Sequence, residues 1–262
     1  MGFFDAAKAT VKGNKAYQMH AAANKLTDEG KVSEARSRYT EALKLYAEAV
    51  EAGCNRANIL QGYAILLMRE GELEKAREIM LKIEKIKGLT ANDWFHLRLN
   101  YSIYQWKTGK LDKAIETIRR AAGDKMNSAV YTTLGMFLVD EARETRDFEK
   151  ALAFNLEALE YDDEDAATLD NLGQLYLAME TAEADRDKAK EYRDKARKYF
   201  EKAHEEKPRQ ITTIYYLARM YHEDGEDERA REVLKDVDTI YFSAICPVSR
   251  QDMRALSAEV GV

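Results

Sequence analysis

The stretch Arg146–Tyr176, RDFEKALAFNLEALEYDDEDAATLDNLGQLY, decides how the chain is read. Ala151 and Ala158 stand seven apart on a helical period, with Leu152, Leu156 and Leu159 around them. An acidic break, Tyr161 to Asp165, follows, and a second helical pattern carries Leu169, Leu172, Gly173 and Tyr176. Small residues at the points where two helices would meet, separated by a tight break, mark a helix–turn–helix unit that repeats. The break itself lacks the loop glycine and ligand spacing of a calcium-binding EF-hand. Its acidic groups instead favour the positive end of the next helix.

The same pattern recurs along the chain. Ala35, Ala76, Ala114, Ala151, Ala196 and Ala230 mark six second helices. Four residues on come Tyr39, Met80, Ile118, Asn155, Phe200 and Leu234; seven residues on come Ala42, Ile83, Ala121, Ala158, Ala203 and Val237. Upstream, Ala23, Ala64, Ser102, Gly135, Gly173 and Ala218 supply the small residue of each first helix, and Gly30, Gly71, Gly109 and Gly225 are helix stops.

This pattern resembles tetratricopeptide repeats (TPR), carried best by Leu172-Gly173, Tyr176, Ala196, Phe200, Ala203 and Pro208, then by Leu217-Ala218, Tyr221, Gly225 and Ala230, and by Leu134-Gly135, Phe148, Ala151 and Ala158. The resemblance covers about residues 16 to 244. It implies an all-α, right-handed superhelix of about six repeats, at about 16–56, 57–94, 95–127, 128–165, 166–210 and 211–246, with short terminal capping helices over 1–15 and 247–262. The third repeat fits worst, with Arg98 and Gln105 at positions that should be bulky and buried. Most spacings between the marker alanines exceed the family's repeat length, several by amounts close to whole helical turns, which keeps the apolar face and lengthens helices. Thus Leu43, Tyr46 and Val50 extend the first repeat, Ala142 the fourth, and Ala189 and Tyr192 the fifth, back toward Asp185. Ser249 is the expected N-cap of a last helix that buries Met253 and Leu256.

Composition narrows the function. The chain has 262 residues, only two prolines, 34% charged residues of mixed sign and a net charge of −6, which suits helices and argues against a general nucleic-acid binder. Cys54 and Cys246 lie far apart with no CxxC, so reduced thiols in a cytoplasm are expected. No apolar run is long enough for a membrane span, and no secretory signal stands at the start. Phe3, Ala7 and Val11 share a face beside Lys8 and Lys12, which suits a cap helix or a weak membrane-surface contact. There is no phosphate loop, HExxH or nucleophile elbow, and His204-Glu205-Glu206 and His222-Glu223-Asp224 point their side chains apart. The expectation is no enzyme, no metal and no cofactor. The charged segment Ala182–Lys207 reads as a solvated helix face with pairs such as Glu191–Lys195.

By the family pattern, first-helix positions stepping by three, four and three line a concave wall. They are Tyr17, His20, Asn24 and Thr27; Asn58, Gln61, Ile65 and Met68; His96, Leu99, Ile103 and Trp106; Ala129, Thr132, Met136 and Val139; Ala167, Asp170, Gln174 and Leu177; Thr212, Tyr215, Arg219 and His222. Asn100 and Asn171 stand beside them. An apolar middle with polar ends suits a groove for a peptide or protein partner. The same positions would be core if tight curvature made them touch. The resemblance thus implies a non-catalytic scaffold; its alternatives are a self-associating assembly module and a peptide-pheromone sensor. The lysines of the family's clamp for chaperone tails are missing here, where His20, Asn24, Gly62, His96 and Asn100 stand instead.

Overall fold

Local stop and start signals set where each helix begins and ends. At Gly71 the backbone takes φ +84°, and the Gly71 and Glu72 N–H groups donate to the carbonyls of Met68 (3.0 Å) and Leu67 (2.8 Å). A residue without Cβ enters this left-handed turn freely and satisfies carbonyls the helix would leave unpaired. The structure, a computed structural model, describes residues 3–123 and 125–262, with side chains from residue 7 onward. Met1, Gly2 and the side chain of Phe3 therefore lie outside the described residues. Among the described residues every regular element is helical, thirteen α-helices and one 3-10 turn, as the all-α expectation requires. The chain forms two compact units, Met1–Lys110 with Thr239–Ile245, and Leu111–Asp238 with Cys246–Val262.

In the first unit α1 (Phe3–Asp28) pairs along α2 (Val32–Glu51), α3 (Ala57–Arg69) pairs with α4 (Leu73–Glu84), and α5 (Ala91–Lys107) packs on both α3 and α4. The separate capping helix expected over 1–15 is instead the first part of α1, which runs unbroken for 26 residues. Gly13 does not interrupt it. The residue is buried inside the helix, and a Cβ there would sit 2.8 Å from Ile59 Cγ2, so the glycine admits α3 at close range. The extension has a partner because α2 is also long: Lys12 pairs with Glu48 at 2.7 Å, and Ala9, Ala16 and Ala49 are buried. The third repeat begins earlier than residue 95. Thr90 and Asp93 form a reciprocal capping box, with Asp93 N–H donating to Thr90 Oγ1 (3.1 Å) and Thr90 N–H to Asp93 Oδ2 (2.9 Å), so α5 starts at Ala91.

The second unit holds α6 (Leu111–Ala122), α7 (Ser128–Thr145), α8 (Glu149–Tyr161), α9 (Ala166–Ala182), α10 (Arg186–Glu206), α11 (Ile211–Glu223), α12 (Asp227–Leu234) and α13 (Arg250–Val260), and a 3-10 turn (Val237–Thr239) runs from its Asp238 into Thr239 of the first unit. Gly173 sits against the buried Phe200 ring, and Gly135 against Asn155, whose amide donates to the Ala151 carbonyl at 2.9 Å. The marker residues on the second helices are buried, except Ala121 and Val237, which are half-buried. The extra residues of the fourth and fifth repeats lengthen helices: α7 reaches Thr145 with Ala142 buried, and α10 spans 21 residues from an Asp185 N-cap. Ser249 caps α13, which buries Met253, Leu256 and Val260 against α11 and α12. The α7 stop is unusual, because Arg146 rather than glycine takes the left-handed φ of +63°.

The α10 face is only partly the solvated surface its charges suggest. Glu191 and Lys195 pair at 2.6 Å, but Arg197 reaches across to Glu226 (2.6 Å) and Arg229 to Glu201 (2.9 Å). The Tyr221 ring lies between Arg197 and Arg229, 4.9 and 4.1 Å from its centre. These pairs join α10, α11 and α12 instead of merely dressing one helix.

Candidate partner-binding face

In the first unit, eight of the expected residues converge. Tyr17, His20 and Asn24 from α1, Asn58, Gln61 and Ile65 from α3, and His96 and Asn100 from α5 line one cavity of about 410 Å³. Gly62, Ala21, Asn92 and Asp93 complete its wall. A third repeat that starts at residue 95 leaves Asn92 and Asp93 out of the wall; the Thr90–Asp93 capping box is the sequence signal that places them in it. No lysine or arginine is among these lining residues, and five of them carry side-chain amides. A larger depression of about 660 Å³, lined by Arg56, Lys87 and neighbouring loop residues, contains none of the expected wall residues.

The cavity's polar groups are oriented from behind. Gln61 Nε2 donates to the Asp93 carbonyl at 2.9 Å, which ties α3 to the first turn of α5. Asn24 Oδ1 accepts from Tyr39 Oη (2.8 Å) and from Arg69 Nη1 (2.7 Å). Because a guanidinium only donates, the atom it meets is the amide oxygen, and the Asn24 NH2 is turned elsewhere. His20 is buried, with the Tyr39 and Tyr46 rings edge-on at 5.8 and 6.2 Å and Tyr46 Oη 3.5 Å from Nδ1. Burial first, and then the Arg69 charge, push the His20 pKa down to about 4, so the ring is neutral at pH 7. Burial also drives the Tyr46 hydroxyl well above the usual tyrosine range. A Cβ on Gly62 would lie 2.6 Å from that hydroxyl, so the glycine leaves it room.

The apolar middle of the expected groove is arranged differently. Leu99, Ile103 and Trp106 do not line the cavity. They are half-buried on α5, where Ile103 packs on the first unit's core and Lys107 Nζ lies 5.1 Å over the Trp106 ring. Met68 is fully core.

In the second unit the expected wall residues are tied to one another. Asp170, Asn171 and Gln174 are buried instead of open, as are Val139 and Leu177. Asp170 accepts from Thr213 Oγ1 and from Gln174 Nε2, both at 2.7 Å, and Gln174 Oε1 accepts from Arg143 Nη2 at 2.8 Å. Asn171 Nδ2 donates to the Thr132 carbonyl (3.3 Å), and Thr132 Oγ1 to Asp165 Oδ2 (3.3 Å). α9 packs against both α7 and α11; its polar residues therefore meet partners on those helices instead of water. Burial raises the Asp170 pKa, against the opposing pull of its hydroxyl, amide and Arg143 neighbours. Met136, Tyr215, Arg219 and His222 are half-buried; Arg219 lies 5.7 Å over Tyr215, and His222 Nδ1 meets Asp227 Oδ1 at 2.6 Å.

No protein-family model and no curated protein matches the sequence. Solved structures do. The human IFIT1 dimer with m7Gppp-AAAA aligns with a TM-score of 0.59 at 19% identity, over 76% of this chain and 45% of that one. PilF of Pseudomonas aeruginosa aligns at 0.54 and 15% identity over 96% and 99%, and the thermophilic TPR protein TTC0263 of Thermus thermophilus at 0.53 and 18% over 64% and 83%. The fold is the TPR solenoid. At these identities the likeness is one of fold, and the chain spans less than half the length of the IFIT1 chain it matches. Among the described residues, no helix is long and apolar enough to cross a membrane, and no three His, Cys, Asp or Glu side chains converge as metal ligands would.

Proposed function

We propose that the amide-lined cavity of the first unit binds an extended peptide segment of a protein partner, without catalysis, in a reducing cytoplasm where Cys54 and Cys246 stay free thiols. The observation that carries this is the chemistry of the wall. Asn58, Gln61, Asn92 and Asn100 carry both donors and acceptors, and Asn24 adds its NH2 donor, which together match the groups a peptide backbone presents at every residue. The neutral His20 and the flank of Ile65 add a weakly polar and an apolar contact. The IFIT1 structures hold m7Gppp-AAAA or PPP-AAAA. Phosphates are held chiefly by Arg and Lys, and this wall has neither, so a peptide is favoured over RNA here.

The test begins with a random dodecapeptide phage pool panned on the immobilised full chain. The selected peptide is then measured by fluorescence anisotropy against wild type, Gln61→Ala and Asn100→Ala. Each lost hydrogen bond should weaken binding by roughly three- to ten-fold. Peptides that bind all three proteins equally would place their site elsewhere.

A further inference from the structure

We infer that Thr239–Ile245 acts as a strap that controls this cavity, with Tyr241, Arg69 and Tyr39 as positioning residues for Asn24. The inference rests on reading the cavity as a peptide site. The strap belongs to the first unit. Its Ala244 N–H donates to the Arg69 carbonyl at 2.7 Å, an end-of-helix acceptor that α3 leaves unpaired. Its Tyr241 hydroxyl donates to the Glu70 carboxylate, and Ile240 is buried. The Tyr241 ring lies 4.9 Å from the Tyr39 ring, and the Arg69 guanidinium sits over both, 5.0 and 5.1 Å from their centres.

Contact with both rings fixes where Arg69 points, and Arg69 points at Asn24. With Arg69 and Tyr39 both donating to its oxygen, Asn24 is set to offer its NH2 group, the donor a peptide carbonyl needs. Removing Tyr241 takes away one of the two rings that hold Arg69. A long guanidinium side chain so released regains its rotamer freedom, and the Asn24 amide loses its fixed orientation. Coupling of this kind is reciprocal: whatever disturbs Asn24 must also loosen the strap.

Hydrogen exchange of the full chain tests this without any ligand. Asn24→Ala should speed exchange of the 240–245 amides by about five-fold or more, the lower end of ordinary coupling energies. Asn24→Asp, which keeps an acceptor for Arg69, should stay slow, and so should Gln61→Ala, which lies in the same wall outside this chain of contacts. Unchanged exchange in Asn24→Ala with its helicity intact, or equal acceleration in Gln61→Ala, would overturn the inference. The reverse arm uses the selected dodecapeptide. Tyr241→Ala should weaken it by about five-fold or more, while Tyr241→Phe, which keeps the ring over Arg69, should bind nearly as wild type. Equal binding by all three would also overturn it. If panning yields no peptide while the exchange result holds, the peptide reading fails and the strap–Asn24 linkage stands.

Discussion

His20 makes a quantitative prediction about pH. Its pKa is held down to about 4 from 6.5 by burial and by the Arg69 charge, so the fold takes the ring in its neutral form. The unfolded chain protonates it on the way down through pH 6.5, and the folded chain resists until about 4. Between those values the unfolded state binds more protons, so stability falls as pH falls, and none of this contribution is lost above the unfolded pKa. A shift of this size is worth at most about 3 kcal/mol, of which about 2 kcal/mol is gone by pH 5. The assay is urea unfolding at pH 7.5 and 5, followed by tryptophan fluorescence. Both tryptophans, Trp94 and Trp106, lie on α5 beside the site, and His204, whose pKa burial also lowers, is the same in wild type and variant and drops out of their difference. Wild type should lose about 2 kcal/mol more than His20→Gln over this interval, and the substitution's own cost cancels in the difference. Equal losses in the two proteins would mean that His20 carries its proton in the folded state, or that water reaches the ring.

Gly173→Ala would put a Cβ 2.7–2.8 Å from three atoms of the fully buried Phe200 ring, which stacks on Tyr216 at 5.5 Å and has nowhere to move. Thermal melting should show a loss of about 1–2 kcal/mol after the gain in helix propensity, recovered in part by adding Phe200→Leu, whereas a change at exposed Lys190 should be neutral. Glu183 is no neutral control, because its carboxylate accepts the Ala184 and Asp185 amides at 2.9 and 3.0 Å. Arg146→Gly should raise stability by about 1 kcal/mol in the same assay, since a left-handed φ of +63° is costly for a residue with a Cβ. Trp106→Ala, at a half-buried site, should cost less than the roughly 3–5 kcal/mol of a fully buried tryptophan in chemical unfolding followed by circular dichroism; a full-sized loss would make Trp106 core.

What could be read from the sequence divides along a physical line. Close approach between helices needs small residues at one spacing, so Gly173 opposite Phe200 and Gly135 opposite Asn155 announce the repeats by composition alone. Helical period gives the faces of α1, α3 and α5, and the resemblance to TPR repeats, not the period, selects the face that carries Tyr17, His20, Asn24, Gln61, Ile65, His96 and Asn100, which line one cavity. Period says which way a side chain points, but not what stands opposite. Asp170, Gln174 and Asn171 stand on α9, where α7 and α11 close over them and they are buried instead of open. Gly13 has the composition of a break and serves as a contact, because Ile59, which decides the matter, lies 46 residues away in sequence. The same limit hides the strap. Residues 239–245 have no helical period to read, and nothing local in Asn24 reports that Arg69 holds its oxygen or that Tyr241 holds Arg69. Position on a helix chose the amides of this cavity. Which hydrogen-bonding edge Asn24 presents is settled by contacts from distant parts of the chain, Tyr39 and Arg69, and Arg69 is itself held against Tyr241.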